Sequence, residues 1–179
     1  MKSLSEIKNG DVIAFQGGWL LSKLIKWWTR QEVTHVGLAM WLKPSEDAEP
    51  RLCILEAALD GIRLVPLDVI LEQQGKNKVY WCGLKDEEVG KQVLGYALET
   101  WGRPYARFWQ FVIIAFPYLR KAFNKPLDND DTRFHCSEIV SRSFERAGYK
   151  LDKVPALTTP GDIFTKDWFY RKELLNPSE

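Results

Sequence analysis

The chain has 179 residues, close to the usual size of one domain, with 45% hydrophobic and 27% charged residues. That balance supports a single core without disulfide staples. A formal net charge of +1 leaves no electrostatic footprint for nucleic acid or a strongly acidic partner. The opening MKSLSEIKNGD has no apolar segment that could serve as a secretory signal, so synthesis without a Sec leader, in the cytoplasm, is expected. The longest apolar run, residues 108–118, is about half the length of a membrane-spanning helix.

In chain order, residues 11–16 follow an Asn9-Gly10 turn and read as a short strand. Leu20, Leu24, Trp27 and Trp28 are spaced as one face of an amphipathic helix over residues 19–29. Residues 33–42, 52–58, 61–66 and 78–82 are strand-like runs rich in β-branched and large apolar residues. Residues 43–51, polar and with two prolines, make a hairpin loop between the first two of these. The later part is helical. Residues 86–101 carry acidic side chains in the first turn and end at Gly102. Residues 105–123 form an apolar helix, bent at Pro117, and residues 125–133 a polar loop. Residues 135–147 form a last helix closed by Gly148. A β-rich first half and a helical second half predict an α+β fold, one antiparallel sheet covered by helices, in one domain spanning 1–179.

The three cysteines form no CxxC pair, and an odd count argues against a closed disulfide framework. Cys53 and Cys82 sit in apolar strands and read as small buried hydrophobes. Cys136 differs: it lies at a helix start after a polar loop. There the macrodipole and free backbone N–H groups stabilise a thiolate and can bind an oxyanion. His35 falls inside a strand, sharing a face with Gly37 and Ala39, and these small residues leave room beside its ring. The other histidine, His135, adjoins Cys136. Neighbours on a helix point about 100° apart, which places it poorly as a base. Glu56 interrupts an apolar strand, where a carboxylate is costly without a partner, and a histidine would satisfy it. Each residue has an ordinary reading alone: a helix-start cysteine, a sheet histidine, an outward charge. Together they supply a nucleophile, a base and an orienting acid.

The motifs WGRPYARFW and FHCSEIVSRSFERAG, residues 101–109 and 134–148, resemble the nucleophile segment of NlpC-type papain-like cysteine peptidases. THVGL and ILEA resemble that family's histidine strand and the strand after it. The order is reversed, with the histidine strand about a hundred residues before the cysteine. That arrangement is similar to the circularly permuted, YiiX-like branch, related to the lecithin–retinol acyltransferase group. NGDVIAFQGG at residues 9–18 and the closing TTPGDI resemble the same branch.

The resemblance implies a permuted papain-like fold with Cys136 as nucleophile, His35 as base and Glu56 as third member. It implies no metal and no organic cofactor. Tyr105 matches the family tyrosine beside the nucleophile, and Gln16, Trp27 and Trp28 are further candidates for substrate or oxyanion contact. His135 stands where an Asp or Tyr is usual, and Ala106 where many permuted relatives carry an acid. The implied activity is hydrolysis of an amide, cell-wall peptide or γ-glutamyl, through an acyl-enzyme. A lipid acyl hydrolase or acyltransferase is the first alternative, since the basic, Trp-rich segment KLIKWWTR suits peripheral contact with a membrane surface. A non-catalytic binding module is the second. The oligomeric state is left open.

Overall fold

The computed structural model describes residues 4–17, 30–58, 60–105 and 133–175. The helix expected over residues 19–29, with Trp27 and Trp28, and residues 106–123 of the apolar helix lie outside these.

Six strands form one antiparallel sheet in the order β4-β3-β2-β1-β5-β6. They are β1 (Val12–Phe15), β2 (His35–Leu42), β3 (Arg51–Ala58), β4 (Gly61–Pro66), β5 (Val79–Leu84) and β6 (Phe169–Leu174). Four α-helices are described: α1 (Leu67–Gln74), α2 (Glu87–Glu99), α3 (Cys136–Arg146) and α4 (Pro160–Phe164). The α+β expectation holds, with a sheet that is open at β4 and β6 among the described strands.

Period-two alternation divides the core. Val12, Ala14, Val36, Leu38 and Leu55 pack with Val93 and Ala97 of α2 and Ile139, Val140 and Phe144 of α3. Ile13, Phe15, Ile54 and Trp81 pack on the other side with Ile7, Leu67 and Ile70. β1 is buried along its whole length because it is flanked by β2 and β5 and covered on both faces.

Local chemistry fixes where the helices start and stop. The Asp86 carboxylate accepts the Glu88 and Val89 N–H groups at the start of α2. α3 ends in a Schellman motif: Gly148 adopts φ +88°, its N–H bonds the Glu145 carbonyl, and the Tyr149 N–H bonds the Phe144 carbonyl. The Phe144 and Tyr149 rings meet edge to face across that turn. The TTPGDI segment begins α4, where Thr159 and Asp162 form a reciprocal capping box around Pro160.

The NGD element is a structural junction. Gly10 lies against Gly90 of α2 so closely that a Cβ there would sit 2.0 Å from the Gly90 carbonyl oxygen. Asp11, nearly buried, accepts from Trp81 Nε1 at 2.7 Å, Lys8 N at 2.8 Å and Leu84 N at 2.9 Å, tying β1 to β5 and the N-terminal turn. Asp11→Ala strands these donors and is expected to cost roughly 3 kcal/mol. Thermal denaturation should show a fall on the order of 10 °C. Unchanged melting would mean that water replaces the carboxylate.

Three elements escaped the sequence reading. β6, FYRKEL, pairs only with β5, and only Phe169 in it is buried, so it lacks apolar alternation. α1 is eight residues long with two of them buried, and α4 is shorter still. No helix among the described residues is long and apolar enough to cross a membrane.

Candidate active site

α3 packs against β2 and β3, and this contact sets its first residue, Cys136, beside the first residue of β2, His35. The thiol and the imidazole lie near enough for each to shift the other's titration. His35 Nε2 lies 2.7 Å from Glu56 Oε2, which leaves Nδ1 as the nitrogen available to a thiol. Cys136 and Glu56 are buried, whereas the His35 side chain keeps 25% of its surface exposed.

Strand register explains how Glu56 reaches the ring. Leu38 pairs with Leu55, which sets Glu56 opposite Gly37, the residue two past His35 on the same face. A Cβ at Gly37 would lie 2.6 Å from the Ile54 Cγ2 and 3.3 Å from the Glu56 Cβ. The room that Gly37 leaves beside the ring is taken by β3, the strand that carries the acid.

The charges follow from this packing. Burial pushes the Cys136 thiol up, but the His35 charge, with hydrogen bonds from the two histidines, outweighs it and brings it down to about 5. Burial lowers His35, and the Cys136 thiolate and Glu56 carboxylate reverse this, raising it to about 10. Burial would raise Glu56, yet His35 and Arg63 hold it at about 2. Both directions favour a thiolate–imidazolium pair. The other thiols go the opposite way: burial pushes Cys82 up to about 12 and raises Cys53.

His135 is not on the helix, so the 100° argument does not apply. It is the N-cap of α3, with extended backbone, and its Nδ1 accepts the Glu138 N–H at 3.2 Å. It performs the capping role that an aspartate fills elsewhere. Its Nε2 faces the Ala156 carbonyl at 3.3 Å, so both ring nitrogens are engaged and neither is offered to a substrate. Beneath it, Glu138 is wholly buried. Its Oε1 accepts Arg142 Nε and Nη2 at 3.2 and 3.0 Å, while Oε2 sits 3.6 Å from His135 Nε2 without a hydrogen bond.

Tyr105, half-buried, is bridged to Phe134, two residues before the cysteine. Burial and the nearby Cys136 and Glu56 charges raise its phenol, so it stays protonated and able to donate. Gln16 follows β1, next to Phe15, whose ring centroid is 5.4 Å from that of His35.

Residues 6–164 match the model of a family described as "Permuted papain-like amidase enzyme, YaeF/YiiX, C92 family". The chain belongs to this family. It is accordingly a papain-like hydrolase with the permuted fold. The structure is also similar to that of metalloprotein yiiX from Escherichia coli O157:H7. The TM-score is 0.68 at 15% identity, over 96% of this chain and 98% of that one, a likeness of fold. No curated protein gives a significant match to the sequence. Among the described residues, no group of three or more His, Cys, Asp or Glu is placed to hold a metal ion.

Two features of the site had no place in the sequence reading. One is Arg63, which binds Glu56 across the β3–β4 pair. The other is the Glu138–Arg142 pair, for which the i,i+4 spacing of opposite charges was the available signal.

Proposed function

We propose that this permuted papain-like hydrolase cleaves amide bonds through Cys136, His35 and Glu56, with a thioester acyl-enzyme as intermediate. The observation that carries the reading is the 2.7 Å contact between His35 Nε2 and Glu56 Oε2, with Cys136 near enough to raise the ring's pKa. The thiolate attacks the carbonyl carbon, and the carbonyl electrons move onto oxygen. The Cys136 N–H and the Tyr105 hydroxyl are the proposed donors to that oxyanion, and Gln16 borders the substrate side. The His35 imidazolium gives its proton to the amide nitrogen, the C–N bond breaks, and the amine leaves. Neutral His35 then takes a proton from water, hydroxide adds to the thioester, and collapse breaks the C–S bond. The products are a carboxylic acid and the restored thiolate–imidazolium pair.

The test presents a stem-peptide amide, a γ-glutamyl anilide and an acyl-lipid ester side by side, with mass spectrometry of the quenched protein. Amide turnover with an acyl group on Cys136 is the expected result. Cleavage of the acyl lipid alone would replace the reading with the lipid one. Absence of both turnover and adduct would favour a binding module.

A further inference from the structure

Arg63 sits directly opposite Glu56 in the β3–β4 register. Its Nε and Nη2 both donate to Glu56 Oε1, at 3.0 and 2.9 Å, and its Nη1 donates to Asp60 Oδ2 at 2.8 Å. The two carboxylate oxygens therefore have separate tasks: Oε1 receives two guanidinium N–H groups, and Oε2 faces His35 at 2.7 Å. A planar guanidinium held at a second point by Asp60 cannot follow a rotating carboxylate, so it resists exchange of the two oxygens.

We propose that Arg63 is a positioning residue that locks the Glu56 carboxyl plane with Oε2 toward the His35 ring. This rests on the reading of Cys136, His35 and Glu56 as the reacting centre. Arg63 touches neither the thiol nor the place where a substrate carbonyl would lie, and it acts through Glu56 alone. A surface ion pair has a small effect on stability, and Arg63 is 42% exposed. The Glu56 end is different, because it is buried and carries an orientation that the imidazole depends on.

The lock has a consequence that a merely structural arginine would not have. In Glu56→Gln, the guanidinium donors select the amide oxygen at the Oε1 place. That turns the NH₂ group toward His35 Nε2, which must then accept. The proton is driven to Nδ1, and the ring can no longer act as a base toward the thiol. Removing Arg63 frees the amide to flip and present its oxygen to Nε2–H. Arg63→Met should therefore have opposite effects in the two backgrounds.

The measurement is the rate of Cys136 alkylation by iodoacetamide across pH, read by peptide mass spectrometry. The variants are wild type, Arg63→Met, Arg63→Lys, Glu56→Gln, Glu56→Gln/Arg63→Met and Glu56→Gln/Arg63→Lys, with circular dichroism to establish folding. In the wild-type background, Arg63→Met should slow alkylation at neutral pH by about 5- to 10-fold, and Arg63→Lys should restore part of it. In the Glu56→Gln background the same change should raise the rate by 3-fold or more. An equal loss in both backgrounds would overturn the inference, and so would no change in a folded Arg63→Met protein. Should Arg63→Met not fold, the Arg63→Lys pair in both backgrounds carries the same comparison, since an ammonium cannot hold the plane. If wild-type Cys136 shows an ordinary thiol pKa near 8.5, the reading of the reacting centre fails and takes this inference with it.

Discussion

Cys136→Ser should reduce amide turnover by roughly 10⁴-fold or more while changing stability by no more than about 1 kcal/mol. The asymmetry follows from the environments of the thiols. Cys136 faces an imidazole and a helix N-terminus, polar surroundings in which a hydroxyl is tolerated. Cys82 is fully buried in the apolar core between sheet and helices, so Cys82→Ser should keep activity per folded molecule and cost about 2 kcal/mol. Alkylation of the wild-type protein gives a parallel reading. Below about pH 5 the Cys136 thiolate takes up a proton, and above about pH 10 the His35 imidazolium loses one. Either change ends the pair, so kcat/KM should be bell-shaped between these limits, and iodoacetamide should label Cys136 first from the acid side. Retained turnover in Cys136→Ser, or preferential labelling of Cys53 or Cys82 at neutral pH, would require a different nucleophile.

Glu56→Gln should lower turnover on the order of 100- to 1000-fold, about 2.7 to 4 kcal/mol of barrier. An acid-to-amide change of this kind inverts the tautomer and can reach about 10⁴ in a serine triad. A thiolate already formed at rest depends less on a base, which reduces the effect. Arg63 works the other way by fixing the amide in its unfavourable orientation. Losing the carboxylate removes both a charge and a hydrogen bond that raise His35, so the basic limb of the pH profile should move down. The thiol pKa should rise for the same reason. KM should change little because the carboxyl group faces the ring. A variant with a lowered melting temperature but intact turnover and thiol pKa would identify Glu56 as a structural charge only.

Much of the sheet was legible because β1, β2, β3 and β5 are buried on alternating or both faces, and such burial leaves a hydrophobic period. β6 left none: Arg171, Lys172 and Glu173 run consecutively at the sheet edge, so its covered and exposed positions alike are charged. The capped helices were legible at their ends, since Asp86 and Gly148 are local signals that do not depend on distant partners. The grouping of Cys136, His35 and Glu56 came from residue types and from the family resemblance, and its geometry depends on the β2–β3 register, which no local pattern states. Arg63 was invisible for that reason. Only once Glu56 is known to lie opposite position 63 does an ordinary edge-strand arginine acquire a specific partner. His135 misled for a different reason. Treating it as a helical neighbour assumed one residue more of helix than exists, and the extended backbone of an N-cap points the ring elsewhere.

The permuted order of the chain has a temporal consequence. Five of the six strands, carrying His35, Glu56 and Arg63, precede Cys136 in the sequence. During vectorial synthesis these strands emerge before Cys136, the proposed nucleophile. Until α3 docks, its cysteine is an ordinary thiol, mostly protonated at neutral pH and slow toward electrophiles. On the proposed reading, reactivity is thus acquired only when α3 docks on the sheet.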